Sequence, residues 1–115
     1  MHELSIAKSV LETVQAELAQ RPGARLHKVG LRVGELSGVN PDALSFSFEV
    51  LVKGTNLEPV VLEIESSPRR HRCPQCNCVF TVTNYDVACP NCYASDTECV
   101  GGGELEFTYL ELEEP

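Results

Sequence analysis

Cys73-Pro74-Gln75-Cys76 and Cys89-Pro90-Asn91-Cys92 are two copies of one short motif, separated by 12 residues. Four thiolates in a tetrahedron suit Zn²⁺, and a closed set of four leaves no open position for catalysis. The tight spacing lets backbone N–H groups turn toward the sulfurs and offset their charge. The same sulfur set also binds iron in a rubredoxin-like site, and disulfides are the alternative in an oxidising compartment. Structural zinc is the expected occupant. The remaining cysteines, Cys78 and Cys99, fall outside the paired spacing and are expected to be free thiols. Arg69, Arg70, His71 and Arg72 read as a solvated run that could offset the thiolate charge.

A second chemistry sits at the amino terminus, Met1-His2-Glu3. A His at position 2 can chelate a metal through the Met1 α-amine, the His2 amide nitrogen and the imidazole. Loss of the amide proton requires a polarising metal of tetragonal preference, Ni(II) or Cu(II). Glu3 could add its backbone nitrogen or its carboxylate.

These groups need elements to hold them. Leu4, Ala7, Val10, Leu11, Val14 and Leu18 recur at intervals of three and four, so a helix is expected over 4–20, stopped by Arg21-Pro22-Gly23. Val29, Leu31 and Val33 alternate with Lys28 and Arg32, which predicts a half-buried strand over 26–33. Asn40-Pro41-Asp42 reads as the N-cap and first turn of a second helix, with Leu44, Phe48, Leu51 and Val52 inward and Lys53-Gly54 at its end. Val60, Leu62 and Ile64 alternate with Val61, Glu63 and Glu65, predicting a second strand. A third is expected over 104–112. Its apolar parity switches from Leu105, Phe107 and Tyr109 to Leu110 and Leu112, which predicts a β-bulge near Tyr109-Leu110.

The expected fold is therefore α+β: two helices on a three-stranded sheet, with a zinc-ribbon-like four-cysteine domain inserted between strands. Residues 69–101 form that inserted domain, and residues 1–68 plus 102–115 form a discontinuous α/β domain. Phe80, Val82, Tyr85 and Val87 are too few to give the insert a core of its own without a metal staple. The segments 66–70 and 100–103, the latter holding Gly101-Gly102-Gly103, are candidate hinges.

Composition excludes several classes. Nine Lys+Arg against 17 Asp+Glu give a net charge of −8, which argues against a general nucleic-acid binder and against docking on anionic membranes. With 43% apolar residues the chain is expected to fold, and no secretory leader or spanning segment is visible, so a cytoplasmic location is expected. There is no P-loop and no defensible nucleophile–base pair, so no catalytic residue is assigned.

Together, Met1-His2-Glu3-Leu4-Ser5, Val33-Gly34-Glu35-Leu36-Ser37-Gly38-Val39 with Pro41, Phe46-Ser47-Phe48-Glu49 and the paired Cys-x-x-Cys motifs resemble the HypA/HybF family of hydrogenase maturation proteins. The resemblance covers essentially the whole chain. It implies a nickel metallochaperone, not an enzyme. Transient Ni²⁺ would sit at the terminus on His2, with the Met1 amine and Glu3 nearby. Structural Zn²⁺ would sit on Cys73, Cys76, Cys89 and Cys92. The implied partners are a nickel-handling GTPase, HypB, and the large subunit of [NiFe] hydrogenase, with urease maturation in some members. A zinc-ribbon nucleic-acid-binding or regulatory module is the competing reading.

Overall fold

The structure, a computed structural model, describes residues 3–115. Its first element, α1 (Glu3–Ala19), forms on the expected stripe: Ala7, Val10 and Val14 are buried, with Leu11 and Leu18 partly so. Leu4 departs from that stripe and is half exposed. In β1 (Arg25–Gly34), Val29, Leu31 and Val33 are all buried. Asn40 caps α2 (Pro41–Val52), its side chain accepting hydrogen bonds from the Asp42 and Ala43 N–H groups at 2.9 and 3.1 Å. That satisfies amides the helix itself leaves orphaned. Leu44, Phe48 and Val52 turn inward, while Phe46 faces solvent.

The chain then runs through β2 (Val61–Ser67), three short strands β3 (Arg70–Arg72), β4 (Val79–Thr81) and β5 (Glu98–Gly101), and finally β6 (Leu105–Glu113). β1 is the centre of the main sheet, in the order β2-β1-β6. It runs parallel to β2 and antiparallel to β6, as the crossover through α2 requires. Both helices contribute to one apolar core with β1, centred on Ala7, Val14, Val29, Leu44 and Phe48.

The parity switch in β6 is real but lies one residue earlier than expected. The register passes from Leu31↔Phe107 to Gly30↔Tyr109, leaving Thr108 as the extra residue. The bulge carries Tyr109 off the core side to lie over Gly30, where an added Cβ would meet the ring at 2.1 Å. The Tyr109 hydroxyl donates to Glu63 at 2.6 Å, two strands away. Tyr109 therefore does not share a face with Leu105 and Phe107; a second shift bulges β1 at His27.

The cysteine block contains a second sheet, in the antiparallel order β4-β3-β5. Its buried residues are few: Cys73, Val82, Cys89 and, against expectation, His71. His71 is not solvated. Its Nε2 accepts from Arg69 Nε at 3.0 Å, its Nδ1 lies 3.0 Å from the Thr97 hydroxyl, and its ring packs beside Phe80. With Nε2 accepting, Nδ1 is the nitrogen placed to donate to the Thr97 hydroxyl oxygen.

The segments expected as hinges form a hydrogen-bonded neck. Gly34 N–H donates to Glu104 C=O at 2.6 Å, Glu35 N–H to Ser67 C=O at 2.8 Å, and Leu36 N–H to Gly102 C=O at 2.7 Å. The Glu35 carboxylate accepts from the Arg69 N–H at 2.9 Å. Glu104 accepts from the Ser67 hydroxyl and the Gly102 N–H. Those two bonds, Ser67 first, hold the Glu104 carboxyl below its ordinary pKa. A Cβ on Gly34 would lie 2.1 Å from the Gly102 carbonyl oxygen, so glycine is required where the strands cross.

Candidate metal centre

Each Cys-Pro-x-Cys motif folds by the same local device. In the first, Cys73 N–H donates to Cys78 C=O at 2.9 Å and Asn77 N–H to Cys73 C=O at 2.8 Å. In the second, Cys89 N–H donates to Ala94 C=O at 2.9 Å and Tyr93 N–H to Cys89 C=O at 2.8 Å. Asn77 and Tyr93 both adopt the left-handed conformation, with φ of 61° and 64°, which closes each loop. Arg72 Nη1 donates to the Asn77 side chain at 3.3 Å and steadies the first loop.

The two loops bring four sulfurs together. Cys73 Sγ lies 3.5 Å from Cys92 Sγ, Cys76 Sγ lies 3.6 Å from Cys89 Sγ, and all four are within 4.8 Å of one another. A tetrahedral ion with metal–sulfur bonds of about 2.3 Å needs sulfur–sulfur edges of about 3.8 Å. The cage fits. Cys73 and Cys89 are buried at its back, and Cys92 lies at the surface.

The sulfurs are electrostatically unequal. The Asn91 side chain and the Cys78 backbone bring Cys76 down to about 6. Burial works against Cys89, yet backbone groups of Cys92 and Asn91 pull it below the ordinary thiol value. At Cys92 the Ala94 backbone favours the thiolate, but the neighbouring Cys73 sulfur, burial and Cys89 push it up to about 12. Negative sulfurs in contact repel further ionisation, and a cation among them removes that obstacle. Asn91, inside the second motif, thus tunes a sulfur of the first.

Cys78 stands outside the cage because it occupies the position in the first loop that Ala94 occupies in the second. Burial raises its thiol pKa. Cys99 is exposed on β5. The arginines expected to offset the sulfur charge have other partners: Arg69 binds His71, Arg70 approaches Glu104 at 4.0 Å, and Arg72 pairs with Glu98. They do not form a free basic stripe.

Met1 and His2 lie outside the described residues, so the expected chelate there has no geometry to report. Glu3 opens α1, and its carboxylate accepts from the Asn40 N–H at 3.2 Å, joining the starts of both helices. Only the capping role of Asn40 is legible in the sequence, and Glu35 has no role legible there. No described helix is long and apolar enough to cross a membrane.

A small α+β sheet protein carrying a four-sulfur cage on an inserted pair of loops belongs to the class of metal-handling proteins. The family model described as "Hydrogenase/urease nickel incorporation, metallochaperone, hypA" matches residues 1–112, and the chain belongs to that family, whose members are metallochaperones rather than enzymes. Similar relatives named hydrogenase maturation factor HypA occur in Geobacter metallireducens and Roseiflexus sp. The first is 42% identical over 113 residues, covering 98% of this chain and 100% of the relative. The second is 43% identical over 115 residues, covering 99% and 94%. The fold also resembles the solution structure of the Ni metallochaperone HypA from Helicobacter pylori, with TM-score 0.61, 24% identity and full coverage of both chains. A solution structure of another HypA protein gives TM-score 0.71 at 20% identity, covering 100% of this chain and 98% of that one.

Proposed function

We propose that this chain carries Ni(II) at its amino terminus for insertion into the large subunit of a [NiFe] hydrogenase, acting in the cytoplasm with the GTPase HypB. Urease maturation is a second destination within the same family description. The observation that carries this reading is the family match, which begins at residue 1 and so includes Met1-His2-Glu3 as well as the cysteine block. In the proposed site the Met1 amine, the His2 amide and the imidazole hold the cargo. The engagement of the Glu3 carboxylate with Asn40 supports a main-chain contribution from Glu3. A carrier must release what it binds. Protons compete for an amine of pKa about 7.8 and an imidazole of about 6.5, so affinity falls with pH in the neutral range.

Cys73, Cys76, Cys89 and Cys92 hold a structural zinc in this reading, and the sulfur spacing supports it. Bound there, the ion supplies cross-linking rather than reactivity, since four protein ligands fill its coordination. Residues 1–68 with 102–115 act as the nickel-binding unit and 69–101 as the zinc-binding unit.

The test is metal analysis during nickel titration of the native chain, of His2→Ala and of a chain extended by one Gly before Met1. Native protein should hold one tight zinc and one exchangeable nickel. Both variants should keep the zinc and lose nickel affinity by orders of magnitude, the extended chain because its amine becomes a peptide nitrogen. Undiminished nickel binding in both would overturn the terminal site, and zinc loss in His2→Ala would mean that the two sites are one.

A further inference from the structure

β6 ends the main sheet, and among the described residues no strand pairs with its outer edge. The bulge at Thr108 divides this edge into two short runs, Leu105 to Phe107 and Tyr109 to Glu113, each a template for another extended chain. Two further features specify what that chain would be.

On the core side, Leu105 and Phe107 are about 40% exposed although they pair with the buried Val33 and Leu31. They border an open cleft of about 430 Å³ whose far wall is α1, through Ile6, Ser9 and Thr13. A second cleft of about 380 Å³ continues from Phe107 and Thr13 to Leu112, so the recess follows the strand. A strand added at the usual spacing of about 4.8 Å would send alternate side chains into this recess. Those side chains must be apolar.

The other face is acidic. β6 carries Glu106, Glu111 and Glu113 on that side and no Lys or Arg, with His27 of β1 pairing with Glu113 at 3.1 Å. Glu106 is half exposed even with Arg32 at 3.6 Å. Pairing with a second copy of β6 would set these carboxylates against each other, which is destabilising directly across strands. The net charge of −8 adds to that repulsion. A strand with Lys or Arg on the outward positions meets the opposite situation.

We infer that the open edge of β6 is a docking site for an extended protein segment that alternates apolar and basic residues, added as a fourth strand with its apolar side in the α1–β6 cleft. The acidic edge discourages self-pairing and selects a basic partner strand. This inference does not rest on the nickel site, and its failure would leave that reading untouched.

The test uses the full-length, metal-loaded protein and two blocked hexapeptides, (Val-Lys)₃ and (Val-Glu)₃. Amide chemical shifts are followed during titration. The Val-Lys peptide should move resonances of Leu105–Glu113 and of Ile6, Ser9 and Thr13, more weakly at high salt, and the Val-Glu peptide should not. The double variant Glu106→Lys, Glu111→Lys keeps the apolar lining of the cleft, Leu105 and Phe107, and should reverse the preference, weakening Val-Lys binding about tenfold. Phe107→Asp should weaken binding while leaving the dispersed spectrum of the folded sheet. No shifts at β6 with millimolar peptide, shifts concentrated elsewhere, equal response to both peptides, or self-association of the free protein through β6 would each overturn the proposal.

Discussion

The helix–sheet half and the cysteine block are held together by different physics. In the first, Phe48, Leu44, Val14 and Val29 are essentially sealed from solvent, and burying each such side chain contributes about 1.5–3 kcal/mol. In the second, two of the three buried apolar-type residues are themselves cage cysteines, the third is Val82, and the polar His71 is buried beside them. Such a segment gains its order from the sulfur cage, from short ladders and from the His71 bonds. The contrast teaches that one short chain can combine an apolar core with a segment that has almost none and groups four sulfurs instead. The two parts are joined through a neck of backbone bonds reinforced by the side chains of Glu35, Ser67 and Glu104.

The largest way to break the comparison is at the cage. Cys73→Ala should abolish order in 70–101 while the amides of β1 and α2 stay protected, because metal binding supplies the folding free energy of such a unit. Hydrogen exchange reads both halves at once, and general loss of protection in β1 would erase the distinction. Phe48→Ala is the converse cut. It should cost about 3–5 kcal/mol in denaturant unfolding, with one tightly held metal per folded chain retained. Gly34→Ala attacks the neck, since its methyl must displace the Gly102 carbonyl. A loss of roughly 1–3 kcal/mol is expected, with faster exchange at Glu35, Leu36 and Arg69 and intact protection in the centre of α1.

The smallest effect is a pH dependence. The Ser67 hydroxyl and the Gly102 amide lower the folded-state pKa of Glu104. Its contribution is therefore complete above the unfolded value of about 4.3 and is lost as pH falls through the lower folded value. Glu104→Gln should flatten the acid limb of the stability curve while leaving neutral-pH exchange in β1 unchanged. An acid limb identical in wild type and variant would show that this carboxylate does not guard the neck.

Periodic features were readable in the sequence because local geometry repeats. The α1 stripe, the alternation in β1 and β2, and the Asn40-Pro41 cap all depend on neighbours within a turn or a pleat. The bulge was readable only to within one residue. Tyr109 counts as apolar in a parity reading, yet its hydroxyl is drawn to Glu63 across the outer face. The burial of His71 is not legible in the sequence, because it depends on Thr97 and Phe80, which no local pattern connects to it. The four-cysteine grouping was legible from spacing alone. The exclusion of Cys78 was legible too, once Cys73–Cys78 is laid over Cys89–Ala94. Glu35 had no such signal, because its partner is a backbone amide brought near by the return of the chain.

The neck has a mechanical consequence. The path leaves the main sheet at Ser67 and returns at Glu104, and both points are bonded to each other and to the Gly34–Leu36 corner. The inserted loops are thus mounted on a closed buckle rather than on a tether. A pull on them loads several short bonds in parallel at a point where no side chain cushions the crossing backbones. Such a fastening resists small forces with little give. Turning the cage against the sheet would mean breaking several of these bonds at once.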